Sequence, residues 1–280
     1  MAFRYTRPPL TENIVSVVAL AACAWWLSVD SSAQTWQRYV DWSPPWFRFV
    51  GAVFLIHAAV FWGMAAFFGS VERTGKPDFI ARYRIQTKTH KRPSASRVAF
   101  VLAVNQFVWT PLTLIGIWQA LQLRGWDDIE SLPSVGRFFA MMAGLTVCST
   151  TWFYFSHRLL HRPWWMRKVH RVHHEFRTST ALAAEYAHWF EFIVGNFGTM
   201  AVGVILLAPS LFTIYVYTLL GTFTFVAHHC GFAVPWISSP VHHDWHHYRY
   251  IEAFGTYNIW DRLLGTDTEY KTLKHGDEVK

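Results

Sequence analysis

Three histidine clusters dominate the second half of the chain. They read H-x3-H from residue 157, H-x2-HH from residue 170 and H-x2-HH from residue 243. Residues three and four apart share a helix face, so each cluster is predicted to aim its imidazoles in one direction. Neutral imidazole is the commonest biological ligand for iron, zinc and copper. Twelve of the fifteen histidines fall between residues 157 and 247, which predicts a metal site assembled from this region.

The number of clustered histidines exceeds what a single metal ion needs. A tetrahedral zinc takes four ligands, whereas about eight to ten converging imidazoles suit two six-coordinate ions with positions left for oxygen species. Soluble di-iron bundles use Glu and Glu-x-x-His instead. The nearby acids Glu185 and Asp244 are predicted to orient imidazole N–H groups. Glu175 and Asp261 are further candidates for that role.

The remaining histidines receive simpler interpretations. His57 lies in an apolar run and is interpreted as a packed core residue. His90 in a basic loop and His275 near the C-terminal end are expected to be solvated. His228 and His242 adjoin the clusters but are not expected to be ligands, because consecutive helical positions point in different directions.

Membrane helices are the elements that must position these histidines. The chain is 52% hydrophobic and 15% charged, whereas soluble domains carry about 25% charged residues. A run that is broken at Pro209 predicts a membrane-embedded hairpin over residues 192–227. The predicted fold is all-α, with about four transmembrane helices and a cytosolic helical cap around the metals. The predicted spans are residues 14–29, 49–69, 98–123 and 138–156.

Charge predicts which loops share one side of the membrane. Residues 71–97 carry eight Lys or Arg against two acids. Basic loops stay on the cytoplasmic side, so the N-terminus, this loop and everything after the fourth span are predicted to be cytoplasmic. The membrane would be the endoplasmic reticulum in a eukaryote or the inner membrane in a bacterium. No cleavable signal peptide is expected. A single membrane domain over 1–280 is expected, with mainly transmembrane helices over 1–156 and a histidine-rich catalytic region over 157–267.

Further stretches carry a resemblance to a known family. Residues 184–188 read AEYAH, residues 229–236 read HCGFAVPW and residues 255–267 read GTYNIWDRLLGTD. Together with the three clusters, they resemble the fatty acid hydroxylase and sterol desaturase superfamily of membrane di-iron oxygenases, across residues 79–267. The first two stretches are most similar to 4-methylsterol oxidases. Before the last stretch the family often has Asn-Tyr-Gly, whereas this chain has Ala-Phe-Gly at 253–255.

The resemblance implies a set of ten metal ligands. The clusters match the family's histidines position by position, His229 is implied by its HCGFAVPW context and His188 by its AEYAH context. The implied ligands are His157, His161, His170, His173, His174, His188, His229, His243, His246 and His247.

The resemblance also implies the cofactors and partners. It implies two iron ions, dioxygen as co-substrate and an external electron donor, which would be cytochrome b5 with its reductase or a ferredoxin. The sequence has no Gly-x-Gly-x-x-Gly dinucleotide fingerprint. The basic residues 71–97 could dock an acidic carrier or contact anionic lipid headgroups. No nucleic-acid partner is expected.

The implied reaction is hydroxylation or desaturation of an unactivated C–H bond in a membrane lipid. The sterol-oxidase-like stretches favour a sterol or related polycyclic terpenoid, with a fatty acyl lipid or a carotenoid as the alternative.

Other protein classes also contain histidine-rich chains. A metal transporter would place its ligands near the bilayer midplane in broken helices, whereas these clusters begin past the end of a predicted span, among basic residues such as Arg158 and Arg162. A zinc hydrolase would carry H-E-x-x-H or a serine elbow, and the sequence has neither. The transporter stays open as the alternative from another class.

Overall fold

The computed structural model describes residues 3–5, 11, 13–86, 90–127, 131–274 and 276–279. The protein is almost entirely helical, which confirms the predicted all-α fold. The longer helices are α1 Ile14–Leu27, α2 Ser31–Trp42, α3 Phe47–Thr74, α4 Ala95–Leu123, α5 Val135–Leu160, α6 Trp189–Leu207, α7 Leu211–His229, α8 Val241–Arg249 and α9 Ile259–Leu264.

Short elements connect these helices. The single helical turns are Asp78–Ala81, Pro163–Trp165, Met166–His170, His173–Glu175, Ala181–Ala184 and Tyr270–Thr272. Strands β1 (Phe3–Arg4) and β2 (Glu278–Val279) form an antiparallel pair with Phe3 opposite Val279.

Among the described residues, five helices, α3 to α7, are each long and apolar enough to cross a membrane, so the protein is an integral membrane protein. The predicted spans 49–69, 98–123 and 138–156 correspond to α3, α4 and α5. Residues 192–227 form parts of α6 and α7, each of 19 residues and therefore about 28 Å long. Each of these two helices is thus close to the roughly 30 Å thickness of the hydrocarbon core.

The first apolar run, residues 14–29, does not form the complete span that the sequence predicts. Helix α1 has 14 residues, which corresponds to about 21 Å and is too short for a straight crossing. It is followed at once by α2, and the two helices meet at a bend of 93°. Residues 28–30 interrupt the helix between them. The run therefore forms one arm of a bent pair.

Serine caps begin three of the membrane helices. The side chains of Ser94, Ser134 and Ser210 each accept a hydrogen bond from the backbone N–H three residues later. Such caps satisfy an otherwise unpaired donor and fix where a helix starts. Behind these starts, the apolar faces of α5, α6 and α7 pack together through Leu145, Val204 and Ile214.

The histidine-rich elements and the basic loop lie at one end of the helix bundle. Arg97, at the start of α4, donates to Glu175 at 2.8 Å, and Arg84 forms a backbone bridge with Phe232 just after α7. The N-terminal segment joins them, because the Thr11 hydroxyl donates to the Pro235 carbonyl. The packing agrees with the prediction for the N-terminal segment, the basic loop and the histidine clusters. It differs for the connection between α6 and α7, because the Pro209 carbonyl accepts from the Trp126 side chain at the opposite end of α4.

Candidate metal centre

Nine of the ten predicted ligands converge into two adjoining groups. Within each group the potential ligand nitrogens all lie within 4.8 Å of one another, and nearly every imidazole is buried. The first group consists of His157, His161, His170, His174 and His246. The second group consists of His173, His229, His243 and His247.

The spacing in the clusters decides which histidine joins which group. Pairs four residues apart stay together: 157 with 161, 170 with 174, and 243 with 247. The consecutive histidines 173–174 and 246–247 are divided, one to each group. The prediction that each cluster aims all its imidazoles one way is therefore wrong for the two H-x2-HH clusters. Neighbouring helical residues point about 100° apart, and the doublets use that difference to reach both groups.

Backbone carbonyls fix the orientation of these rings. The Nδ1 atoms of four histidines lie 2.7–3.0 Å from carbonyl oxygens. Because a carbonyl can only accept, each of these Nδ1 atoms carries the proton and each Nε2 atom keeps a lone pair. The pairs are His157 with Phe254, His229 with Phe225, His246 with Glu252 and His247 with Phe176.

The Nε2 atoms face one another across each group. The separation is 3.2 Å between His157 and His170, whose Nδ1 faces the Glu191 carboxylate. It is 3.4 Å between His229 and His173, whose Nδ1 faces the Tyr186 carbonyl. Burial lowers the pKa of His170 and His246 well below the usual range, with further lowering from neighbouring histidines, so these rings are neutral. Lone pairs that face each other at 3.2–3.4 Å repel unless a cation lies between them. The donor set of each group therefore fits a metal ion.

A buried glutamate, Glu191, supports the first group and was missed by the sequence analysis. Its Oε1 lies 2.7 Å from Nδ1 of His170, and its side chain is 5% exposed. A carboxylate on the far nitrogen of a ligand fixes the ring and raises its basicity. The position of Glu191 in the first turn of a membrane helix, three residues after His188, was the available signal.

Replacing Glu191 by glutamine is expected to weaken metal binding at the first group by about 10- to 100-fold, because the isosteric amide supports the ring without the charge. Titration of metal-free protein with ferrous iron would measure the change. Glu269→Gln changes an exposed acid that pairs with Arg249 and serves as the control. Equal affinities in the two variants would show that Glu191 does not support the site.

The two acids singled out from the sequence contact other groups. Glu185 places Oε1 3.1 Å from Nε2 of His57. Asp244 is fully buried and accepts from the Gln86 side chain at 3.1 Å. Burial raises the pKa of Asp244 to about 6. The structure therefore places Glu185 beside a histidine outside both groups and Asp244 beside an amide.

His188 lies outside both groups. Its Nδ1 accepts from the backbone N–H of Phe190 at 3.2 Å, so the ring caps the start of α6. His228 and His242 also lie outside the groups: His228 contacts the Ser238 hydroxyl at 2.6 Å, and His242 contacts the Gly255 carbonyl at 3.2 Å.

Two of the simpler histidine interpretations differ from the structure. His90 is half-buried, and its Nδ1 lies 3.1 Å from the Thr178 hydroxyl, so it is not simply solvated. His57 has polar partners on both ring nitrogens rather than purely apolar packing. The prediction for His275 lies outside the described residues.

Asp261 anchors the segment that closes the first group. Its carboxylate accepts from the backbone N–H groups of Phe254 and Gly255 at 2.8 Å each and from the Thr266 hydroxyl at 2.7 Å. Residue 255 must be glycine, because a Cβ there would lie 2.7 Å from the Asp261 carboxylate. This arrangement holds the Phe254 carbonyl against His157.

An apolar cavity of about 340 Å³ lies between the membrane helices beside the second group. Side chains from α1 and from α3 to α7 line it. Phe225 forms part of its wall, and the Phe225 ring lies 5.1 Å from that of His229. The volume falls within the range of ligand pockets, about 300–1,000 Å³. The fold and site thus define a membrane-embedded protein with a buried imidazole cluster at the end of a lipid-compatible cavity.

Comparison with known proteins places the chain in a family. The fatty acid hydroxylase family model matches residues 142–266. Fatty acid hydroxylase domain-containing protein 2 of Homo sapiens is 32% identical over 235 residues, which cover 81% of this chain and 68% of that protein. Methylsterol monooxygenase 2-2 of Arabidopsis thaliana is 31% identical over 242 residues, covering 81% of this chain and 90% of the relative. No solved structure gave a significant match.

The chain belongs to the fatty acid hydroxylase family, within the sterol desaturase superfamily, as the sequence analysis predicted. Another relative, a very-long-chain aldehyde decarbonylase of Oryza sativa subsp. indica, is 31% identical over 240 residues, with 80% of this chain and 87% of that protein covered. The protein is therefore a lipid-modifying enzyme of the hydroxylase and oxidase type.

Proposed function

We propose that the protein is a di-iron monooxygenase that hydroxylates an unactivated C–H bond of a membrane lipid, with a sterol or related polycyclic terpenoid as substrate. The observation that carries the proposal is the pair of adjoining groups in which the Nε2 lone pairs of His157 and His170, and those of His173 and His229, face one another beside a mostly apolar cavity. The ligands are the nine grouped histidines. His188 caps a helix and is not proposed as a ligand.

Bound iron supplies the activation of dioxygen and the oxidation of the C–H bond. The protein's own residues do the rest. Backbone carbonyls and Glu191 hold the imidazoles in the tautomer that presents Nε2. Phe153 lies against His157, and Phe225 of the cavity wall lies against His229, so apolar rings flank these two ligands. The cavity then holds the lipid beside the metals and excludes water.

Hydroxylation requires electrons from outside the chain. One oxygen atom of dioxygen enters the C–H bond, and the other leaves as water with a pair of electrons and a pair of protons. The donor class is a cytochrome b5 or ferredoxin type of carrier, which docks at the end of the bundle that holds the histidines. Within 71–97, Arg84 and Arg92 already pair with Glu72. The exposed Arg167, Lys168 and Arg171, next to His170 in the chain, are better placed to meet an acidic carrier.

The names of the relatives support a lipid substrate and leave several lipid classes to compare. Two of them are called methylsterol monooxygenase and very-long-chain aldehyde decarbonylase, so both ring systems and linear chains occur among the substrates that these names imply. The chain's AEYAH and HCGFAVPW stretches favour the ring system. A metal transporter is disfavoured because the grouped imidazoles are almost completely buried at one end of the bundle.

The test is a turnover assay with isotopically labelled dioxygen. Protein that has been reconstituted anaerobically with ferrous iron receives a reductase system and either a 4-methylsterol or a fatty acyl lipid. The expected product is the sterol with one labelled oxygen. A labelled fatty acyl product would keep the hydroxylase and overturn the sterol. Loss of hydrogen without label would make the enzyme a desaturase. No product from either lipid, with iron bound, would contradict the proposal.

A further inference from the structure

A histidine and a carboxylate lie together in the wall of the mostly apolar cavity. His57 of α3 and Glu185 both line this cavity, with His57 Nε2 3.1 Å from Glu185 Oε1. The other ring nitrogen of His57 lies 3.1 Å from the Thr222 hydroxyl on α7. A histidine and a carboxylate among membrane helices are costly to bury, and they mark a functional site more often than a structural one.

One side of this pair lacks a partner. Glu185 is 2% exposed, and its Oε2 has no hydrogen-bond partner among the described residues. Gln106, whose side chain also contacts His57 at 3.4 Å, has an Oε1 atom that is likewise without a partner in the described part of the chain. Both atoms are acceptors. A buried acceptor without a donor is unfavourable, so a ligand that donates a hydrogen bond would be stabilised here.

The backbone around the pair is held in place by helix α4. An interruption of its regular turn at Asn105–Trp109 widens the helix there, a feature that often occurs at functional sites. Asn105 in this segment donates to the carbonyls of Glu185 and Ala187 at 3.0 Å each. The position of Glu185 is therefore fixed by the scaffold rather than by a mobile loop.

The pair lies close to the metal groups. The carbonyl of Tyr186, the residue after Glu185, accepts from Nδ1 of His173 at 3.3 Å. On α7, Thr222 precedes His229 by seven residues, a rise of about 10 Å. A lipid whose polar end contacts Glu185 would thus have its nearby carbons within about 10 Å of the second group.

We infer that Glu185, positioned by His57, binds a free hydroxyl group of the lipid substrate, so that the enzyme acts on lipid alcohols rather than on their ethers or esters. The hydroxyl hydrogen is donated to Oε2 of Glu185. This contact orients the lipid in the cavity and determines which carbons reach the metals. The inference rests on the proposed function only in taking the cavity as the substrate site.

The test measures binding without turnover. Iron-loaded protein without reductant is titrated with a radiolabelled 4-methylsterol that has a free 3-hydroxyl, with its methyl ether, and with hexadecanol and its methyl ether. We expect each alcohol to bind about 10-fold or more tightly than its ether, because hydrogen bonds to charged groups have effects of that size. A larger preference for the alcohol with the sterol than with hexadecanol identifies the ring system as the source of the hydroxyl. A larger preference with hexadecanol identifies the linear chain.

Two variants test whether the preference for the alcohol depends on His57 and Glu185. Glu185→Gln and His57→Leu are each expected to reduce the ratio of ether to alcohol dissociation constants to about twofold or less. Thr146→Val is the matched control, because this residue also lines the cavity while its hydroxyl already donates to the Met142 carbonyl at 2.8 Å. The control should keep the wild-type ratio.

Two results would overturn the inference. One is equal binding of alcohol and ether by the wild-type protein, which does not depend on whether any variant folds. The other is an unchanged ratio in both Glu185→Gln and His57→Leu. Because no turnover takes place, these outcomes are separate from a failure to form product, which would count against the proposed function.

Discussion

The variants His246→Ala and His243→Ala should each lower the bound iron from about two ions per chain to about one and abolish formation of the hydroxylated lipid. His246 belongs to the first group and His243 to the second, so each variant removes one Nε2 ligand from a different ion. Both side chains are buried on α8, so each variant leaves its group one imidazole short. Metal analysis and product formation would be measured on the same samples.

The control for this pair is His188→Ala, which alters a histidine that caps α6 and belongs to neither group. It should keep both ions. Loss of an ion from this variant would show that the tenth histidine implied by the family resemblance is a ligand after all. Loss of both ions from either α8 variant would show that the two groups bind as one unit.

The variant Asp261→Ala should have the largest effect on stability. It leaves the backbone N–H groups of Phe254 and Gly255 buried without their acceptor, at about 1–3 kcal/mol for each. A total of about 4 kcal/mol corresponds to a melting temperature lower by about 10 °C in a chain of this size. Since the Phe254 carbonyl would also shift away from His157, iron occupancy of the first group should fall.

Thermal unfolding of the purified protein in detergent would measure this change. The control is Glu269→Ala in the same C-terminal segment, where an exposed ion pair with Arg249 contributes at most about 1 kcal/mol. Equal melting temperatures for the two variants would contradict the role given to Asp261.

Local spacing predicted more of the metal centre than any other feature did. Pairs four residues apart, such as 157 with 161, do share a group, because the helical repeat brings them to one face. Each doublet, 173–174 and 246–247, is divided between the two groups, and this division could not be predicted in the same way. It depends on the two groups lying side by side, which is set by how α5, α7 and α8 pack.

The contacts that span long stretches of sequence were not predictable. His57 and Glu185 are separated by 128 positions, and only the packing of α3 brings the histidine to the carboxylate. In the sequence, Glu191 is an isolated acid at the start of an apolar run. Its contact with His170 is formed only because the turn at residues 166–170 places His170 next to it. The bend of 93° between α1 and α2 was also not predicted, because the apolar run 14–29 gives no sign of the turn that follows Leu27.

Iron content of the wild-type protein tests the central claim most directly. The protein would be reconstituted anaerobically with ferrous iron, freed of loosely bound metal by gel filtration and analysed for metal and protein together. The two groups of histidines predict about two tightly held irons per chain. A single iron, or none, in protein that remains folded would contradict the dinuclear centre and the proposed oxygenase with it.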